Sequence, residues 1–311
     1  MDAIYIDSDV DDQARRQCIY DGGLFVFSAR PSVNALCEFA QELIQEAFGS
    51  VDPREAQHHL PADEYVAILA RLKPKFVHHP RSKELLQRIL KELGCDLTKT
   101  YFDVPRLKSV THGGQQVSGL TYGIHPHRDT WYSAPFCQLN WWLPVYPIGV
   151  TSALAFHPRY WKEPVRNGSS QFNHYRWNKY ARKSAADNVE DYLQNQPRPE
   201  EPIDLEVQIR PILPVGGVVL FSGAQLHSAV PNTSGKTRFS IDFRTVHFDD
   251  VMARVGAPNV DSAATGTSLR DFMRGTDFSR LPDDVIALYD DEPSEDGELV
   301  FQPPSFAKSS G

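Results

Sequence analysis

Positive charge is in short supply in this chain. Its 32 Lys and Arg are outnumbered by 40 Asp and Glu, for a formal net charge of −8. Such a balance argues against nucleic acid as a partner, since binding it requires a basic surface that displaces counterions from phosphates. Cysteine is equally sparse: Cys18, Cys37, Cys95 and Cys137 stand apart with no C-x-x-C pair. Neither a zinc ribbon nor a disulfide framework is suggested, and buried free thiols are expected. No apolar run approaches the ~18 residues of a membrane span. The opening MDAIYIDSDVDDQARR also lacks the basic and apolar regions of a secretory signal, so the expectation is a cytoplasmic protein with no membrane partner. Neither Gly22-Gly23 nor Gly216-Gly217 belongs to a Walker or Rossmann fingerprint, which leaves nucleotide binding without support.

What the chain does have is aromatic material for a large core, with 17 Phe, 12 Tyr and 5 Trp. We read residues 1–311 as a single domain in three parts. The first, 1–99, is mainly helical: apolar residues recur at helical spacing from Pro31 to Gly49, Asp63 to Leu72 and Ser82 to Leu93, and Gly94 supplies a stop. From Thr100 to Phe248 the residues favour strands, in the segments YFDVPRLKSVTH, QVSGLTYGI, FCQLNWWLPV, SALAFHP, LEVQIRPI, GGVVLFSG and TRFSIDFRTVHF. Many short strands with turn signals between them indicate a sandwich or barrel. The polar interruption at 158–201 is too long for a simple turn and reads as a lid-like excursion. Residues 249–311 form an extension whose stretch from Leu281 to Val300 carries acids but no Lys or Arg, as solvated tails do.

The chemistry centres on HPHRDTWY. On a strand, residues two apart share a face, so His127 and Asp129 can offer an imidazole and a carboxylate to one metal ion. His227, just beyond the apolar strand Val218 to Phe221, is the candidate third ligand. Two histidines and one carboxylate on one face of an octahedron leave three open positions, an arrangement suited to iron(II) oxygenases. Downstream, Arg238, Ser240, Asp242 and Arg244 alternate with Phe239, Ile241 and Phe243. Two readings of that strand stand side by side: its charged face meets water, or it lines a hollow barrel in which Arg238 meets a dicarboxylate.

The run GGVVLFSGAQLHSAVPNTSGKTRFS resembles the Gly-turn, strand, distal His and R-x-S element of the iron(II)/2-oxoglutarate oxygenases, in their phytanoyl-CoA hydroxylase-like branch, over roughly residues 100–248. The resemblance implies a mainly β fold with flanking helices, a double-stranded β-helix or jelly-roll barrel of cupin type. It also implies Fe(II), 2-oxoglutarate and O2 as the reacting partners, with His127, Asp129 and His227 as metal ligands and Arg238 with Ser240 as anchor for the distal carboxylate. The activity it implies couples oxidative decarboxylation of 2-oxoglutarate to C–H oxidation, with hydroxylation as the default outcome. Desaturation, epoxidation and cyclisation occur on the same kind of centre.

Gln138 and Asn140 are read either as 2-oxoglutarate or substrate contacts or as satisfied structural amides. Tyr122, Trp131 and Trp142 are read as aromatics of the substrate mouth or as core. Between 159 and 183 the excursion carries seven cations, Arg176 among them, interleaved with aromatics. That composition suits a small, polar or anionic substrate, or else a solvated loop paired with the acidic tail. Two rival functions use the same fold: a cupin-like metal-dependent isomerase or hydrolase without 2-oxoglutarate, and a non-enzymatic jelly-roll binding module.

Overall fold

The computed structural model describes residues 3–114, 125–177 and 196–289. The chain opens with β1 (Ile4–Ile6), α1 (Asp12–Tyr20) and β2 (Leu24–Phe27), followed by α2 (Pro31–Phe48), α3 (Ala62–His78) and α4 (Pro80–Glu92). Local chemistry sets these helices. Pro31 opens α2 and Gly49 closes it at φ 62°, a conformation glycine adopts without a side-chain clash. His79 caps α4 by accepting the Arg81 amide on Nδ1, with Pro80 in the first turn. The region is mainly helical, with two short strands, β1 and β2, that the pattern does not mark, and α3 runs through Pro74 to His78 where the sequence pattern stops at Leu72.

The strand-rich core holds β3 (Thr100–Phe102), β4 (Arg106–Val110), β5 (Leu139–Pro144), β6 (Leu154–Phe156), β7 (Val218–Ser222), β8 (His227–Ala229) and β9 (Arg238–His247). β10 (Met273–Arg274) follows from the C-terminal extension. Eight strands form one sheet in the order β1-β2-β7-β5-β9-β3-β10, with β4 paired to the first half of β9. β6 and β8 form a second sheet, widened by single bridges from His127 to His227 and from Ile209 to Phe156. LEVQIRPI contributes only that last bridge. From β5 to β9 the strands fall alternately in the large and the small sheet, the jelly-roll pattern of a double-stranded β-helix.

Register divides the large sheet into two chemistries. Residues opposite one another share a face, so Asn140, Arg244 and Phe221 point one way, as do Trp142, Asp242, Arg106 and Val219, and Ser240 with Lys108. That face meets the small sheet, where Phe156 packs edge-on against Phe221 with ring centroids 4.8 Å apart. The other face carries Leu107, Trp141, Leu143, Leu220, Phe239, Ile241 and Phe243 into the main core with α2, α3 and α4. β9 is therefore apolar toward the helices and charged toward the small sheet. Arg238 is only 7% exposed and Ser240 fully buried, which rejects the water-facing reading of this strand.

The extension is built into the core as far as it is described. β10 pairs β3, and Leu281, Val285 and Ile286 are buried in the main cluster. Among the described residues no helix is long and apolar enough to cross a membrane, and all four cysteines are free.

Phe243 has no exposed surface and stacks on Trp141 at 5.2 Å on the helix side of β9. Phe243→Ala is expected to destabilise the protein by about 3–5 kcal/mol through a cavity that the sheet cannot close. Urea unfolding checks this; a loss below ~1 kcal/mol would show that the site collapses freely.

Candidate metal centre

His127 and His227 are brought together by the backbone. Each donates its amide to the other's carbonyl, at 2.9 and 3.0 Å, and their rings lie 4.4 Å apart. Arg128 is extended (φ −112°, ψ 141°), after which the chain turns into a 3-10 segment over Asp129–Tyr132. Asp129 thus begins a turn and is not part of a strand, which corrects the local picture behind the H-x-D reading. The outcome for the side chains is the same: Oδ1 of Asp129 lies 3.7 Å from His127 Nε2 and 3.9 Å from His227 Nε2. All three donor atoms fall within 4.8 Å of one another.

Every other polar atom of the triad is already committed. His127 Nδ1 meets the His125 carbonyl at 3.0 Å and His227 Nδ1 meets the Gln225 carbonyl at 2.9 Å. A carbonyl only accepts, so each Nδ1 carries the proton and each Nε2 presents its lone pair to the shared space. Burial, together with the neighbouring His227, pushes the His127 pKa down to about 4, and burial also lowers His227. Both imidazoles are therefore neutral at physiological pH, the form that binds metals. Asp129 Oδ2 accepts from Gln138 Nε2 (3.0 Å), Asn140 Nδ2 (3.0 Å) and Arg244 Nε (3.1 Å). Burial would raise this carboxyl; Arg244 first, then the two imidazoles and Asn140, hold it below the usual carboxylate range. Oδ1 has no hydrogen-bond donor among the described residues and is the oxygen turned toward both Nε2 atoms.

Arg244 is fixed in turn by Asp103, whose Oδ1 accepts the Arg244 amide at 2.7 Å and whose Oδ2 meets Nη1 at 3.2 Å. Its guanidinium meets two carboxylates, Asp129 through Nε and Asp103 through Nη1. Arg238, six residues earlier on the same face, is the opposite case. Nη1 reaches the carbonyls of Ser152 and Ala153 at 3.2 Å each, and the guanidinium lies 5.6 Å from the Trp142 ring. Its Nε and the neighbouring Ser240 Oγ are buried without a partner among the described residues. Burial pushes the Arg238 pKa down to about 10, against the opposing pull of Asp242.

The remaining sequence candidates separate. Gln138 and Asn140 converge on Asp129, with Gln138 also donating to Asn140 Oδ1 at 2.9 Å. Trp142 lines the interior beneath Arg238. Trp131 is fully enclosed among Tyr160, Val165 and Leu226, with its indole N–H on Asp261, and belongs to the core. Arg176 lies exposed on the short turn His174–Arg176. Tyr122, Lys179, Arg182 and Lys183 lie outside the described residues. The described part of the excursion is packed: Tyr160, Trp161 and Phe172 are buried, and Phe172 meets Tyr132, which lies edge-on to His127 at 5.7 Å. Of its cations, Arg159 pairs with Glu163 and with Asp204, and Arg166 donates to the Glu200 carbonyl.

Three participants carried no sequence signal: Asp103, Asp261 and Arg128 lie far from one another or between ligands, and nothing in their spacing marks them.

No family model and no curated protein matches this chain. Among solved structures it is similar to EvdO2 from Micromonospora carbonacea var. aurantiaca, at 15% identity and a TM-score of 0.46 over 78% of this chain and 93% of that one. A structure of EvdO2 complexed with 2-oxoglutarate gives 15% and 0.45, over 77% and 92%. The epimerase SnoN in complex with Fe3+, alpha ketoglutarate and nogalamycin RO gives 13% and 0.39, over 76% and 85%.

Proposed function

We propose that this protein is a non-haem iron(II) oxygenase that uses 2-oxoglutarate to oxidise a C–H bond of a small polar or anionic molecule. The observation that carries the reading is the meeting, between the two sheets, of a His-Asp-His triad with the buried Arg238 Nε and Ser240 Oγ, which lack partners among the described residues. The donor set fits a divalent metal: two neutral imidazoles with free Nε2 atoms and one bare carboxylate oxygen, leaving room for further ligands. Bound iron(II), together with 2-oxoglutarate, would supply the activation of O2.

The chain's own residues do the rest. His127, Asp129 and His227 would hold the ion. Gln138, Asn140 and Arg244 hold Asp129 Oδ2, which leaves Oδ1 as the oxygen that would meet the ion. Arg238 and Ser240 would take the far carboxylate of 2-oxoglutarate, which gives their unpartnered donors an acceptor and offsets the burial of the charge. Tyr132 and Phe172 form a wall from His127 to the excursion, whose cations favour an anionic or polar substrate and whose packing keeps bulk water from the centre. A cupin-like isomerase or hydrolase would keep the triad but would leave Arg238 and Ser240 without a use. A binding module gives no reason for the convergence of the triad. Hydroxylation is the default outcome, and the fold does not choose among its alternatives.

Adding iron(II) and 2-oxoglutarate without oxygen is expected to produce a visible metal-to-ligand charge-transfer band. Tight metal binding with no such band would assign the site to the isomerase or hydrolase class.

Removing one partner of a buried ion pair costs about 3–5 kcal/mol, so Arg238→Ala should weaken 2-oxoglutarate roughly 10²–10³-fold. Arg238→Lys should recover part of the loss, because lysine supplies a charge without the two-pronged geometry. Iron affinity should stay near wild type in both, whereas His127→Ala and His227→Ala should lose it directly. Separate titrations of metal and 2-oxoglutarate check the split, and wild-type 2-oxoglutarate affinity in Arg238→Ala would remove Arg238 as the anchor.

A further inference from the structure

Between two of the metal-site residues sits a side chain that the proposed chemistry does not use. Arg128 follows His127 and precedes Asp129 in extended backbone (φ −112°, ψ 141°), and its side chain meets none of the three metal-site side chains. It does not go to solvent: Arg128 is 1% exposed. Nε donates to Asp261 Oδ2 at 3.0 Å, Nη1 to the Ala224 carbonyl at 2.7 Å, and Nη2 to the carbonyls of Tyr160 and Glu163 at 2.5 and 3.1 Å. Asp261 is nearly as enclosed, with 5% of its side chain exposed. Its Oδ2 also accepts the Val165 amide at 3.0 Å and its Oδ1 the Trp131 indole at 2.7 Å.

We propose that Arg128 and Asp261 are positioning residues, a buried brace that sets the spacing of the three metal ligands and makes the segment after β9 part of the metal centre. The proposal rests on the metal reading of the triad. Its geometry is specific. Arg128 ties the backbone that carries His127 and Asp129 to Ala224, in the turn whose next residues lead to His227. The same turn receives the Asp129 amide, through Gly223 at 2.8 Å. Asp261 then locks that junction to Trp131, two residues past Asp129, and to Val165 of the excursion. The two ligand-bearing segments also meet through the backbone, by the His127–His227 bridge and by the Asp129 and Thr130 amides on the Gly223 carbonyl, and Arg128 adds a buried side-chain tie beside these bonds. A buried ion pair is by itself a poor source of stability, since apolar replacements of similar volume are often neutral or stabilising. Metal affinity is where its effect should be read.

The test uses the full chain with cobalt(II) alone as probe, read by its visible ligand-field spectrum and its affinity, with thermal unfolding recorded for each variant. Asp261→Asn and the double variant Arg128→Met/Asp261→Asn are compared with Phe243→Ala, which weakens the fold from the far side of the sheet. Partners that orient metal ligands typically change metal affinity about 10–100-fold. Well below its melting temperature, the double variant should bind cobalt(II) roughly tenfold or more weakly with a shifted spectrum, while Phe243→Ala keeps both wild-type values. The proposal is overturned if the double variant binds with wild-type affinity and spectrum, or if its loss merely follows its unfolding as in Phe243→Ala. It is also overturned if neither brace variant folds, which makes the pair a folding element. A wild-type protein that binds no cobalt(II) would instead remove the metal reading beneath it.

Discussion

The carboxylate of Asp129 has two oxygens with opposite surroundings, and most of the interior is arranged around that difference. Oδ2 is saturated by Gln138, Asn140 and Arg244; Oδ1 faces two imidazole nitrogens whose protons are held elsewhere. A buried carboxylate left to itself would take up a proton. Arg244 keeps it ionised, Asp103 keeps Arg244 in place, and Asp103 sits in the corner between β3 and β4. The carboxylate is thus kept ionised by a chain of charges that runs from Asp103 through Arg244 to Asp129.

This arrangement demands charged groups on the face of the large sheet turned to the small sheet and apolar groups on the face turned to the helices, unlike a sheet with one face in water. β9 satisfies both demands through the two-residue period of a strand: Phe239, Ile241 and Phe243 anchor it to the helices, while Arg238, Ser240, Asp242 and Arg244 face inward. The division of labour along that inner face is physical. Arg244 is paired with Asp129 and Asp103, whereas Arg238 meets backbone carbonyls through Nη1 and its Nε has no partner among the described residues.

Much of this was legible in the sequence because it rests on short-range periodicity. The alternation in TRFSIDFRTVH, the apolar run before His227 and the H-x-D pair are local patterns, and each led to residues that the fold brings together. The helices α2 and α4 followed the same logic. α3 passed a proline because its apolar stripe, with Leu72, Phe76 and Val77 buried, continues beyond it. β1 and β2 were missed as strands since each is only three or four residues long, and their pairing is with segments elsewhere in the chain. Asp103 and Asp261 were invisible for a related reason: they act on residues 141 and 133 positions away, and no spacing rule reaches that far. Gln138 and Asn140 were found as polar residues on an inward face, but whether their amides serve a ligand or the protein depends on the position of Asp129, which only the tertiary structure supplies.

The central claim is that one ion is held by three chosen atoms while Asp129 Oδ2 stays with its protein donors. A crystal structure of the protein with iron(II) and 2-oxoglutarate, prepared without oxygen, tests it most directly. The account predicts an ion bonded to Nε2 of His127, Nε2 of His227 and Oδ1 of Asp129, with Gln138, Asn140 and Arg244 still on Oδ2 and the distal carboxylate of 2-oxoglutarate against Arg238. An ion bound elsewhere, or held by both oxygens of Asp129 after Arg244 has moved away, would contradict it.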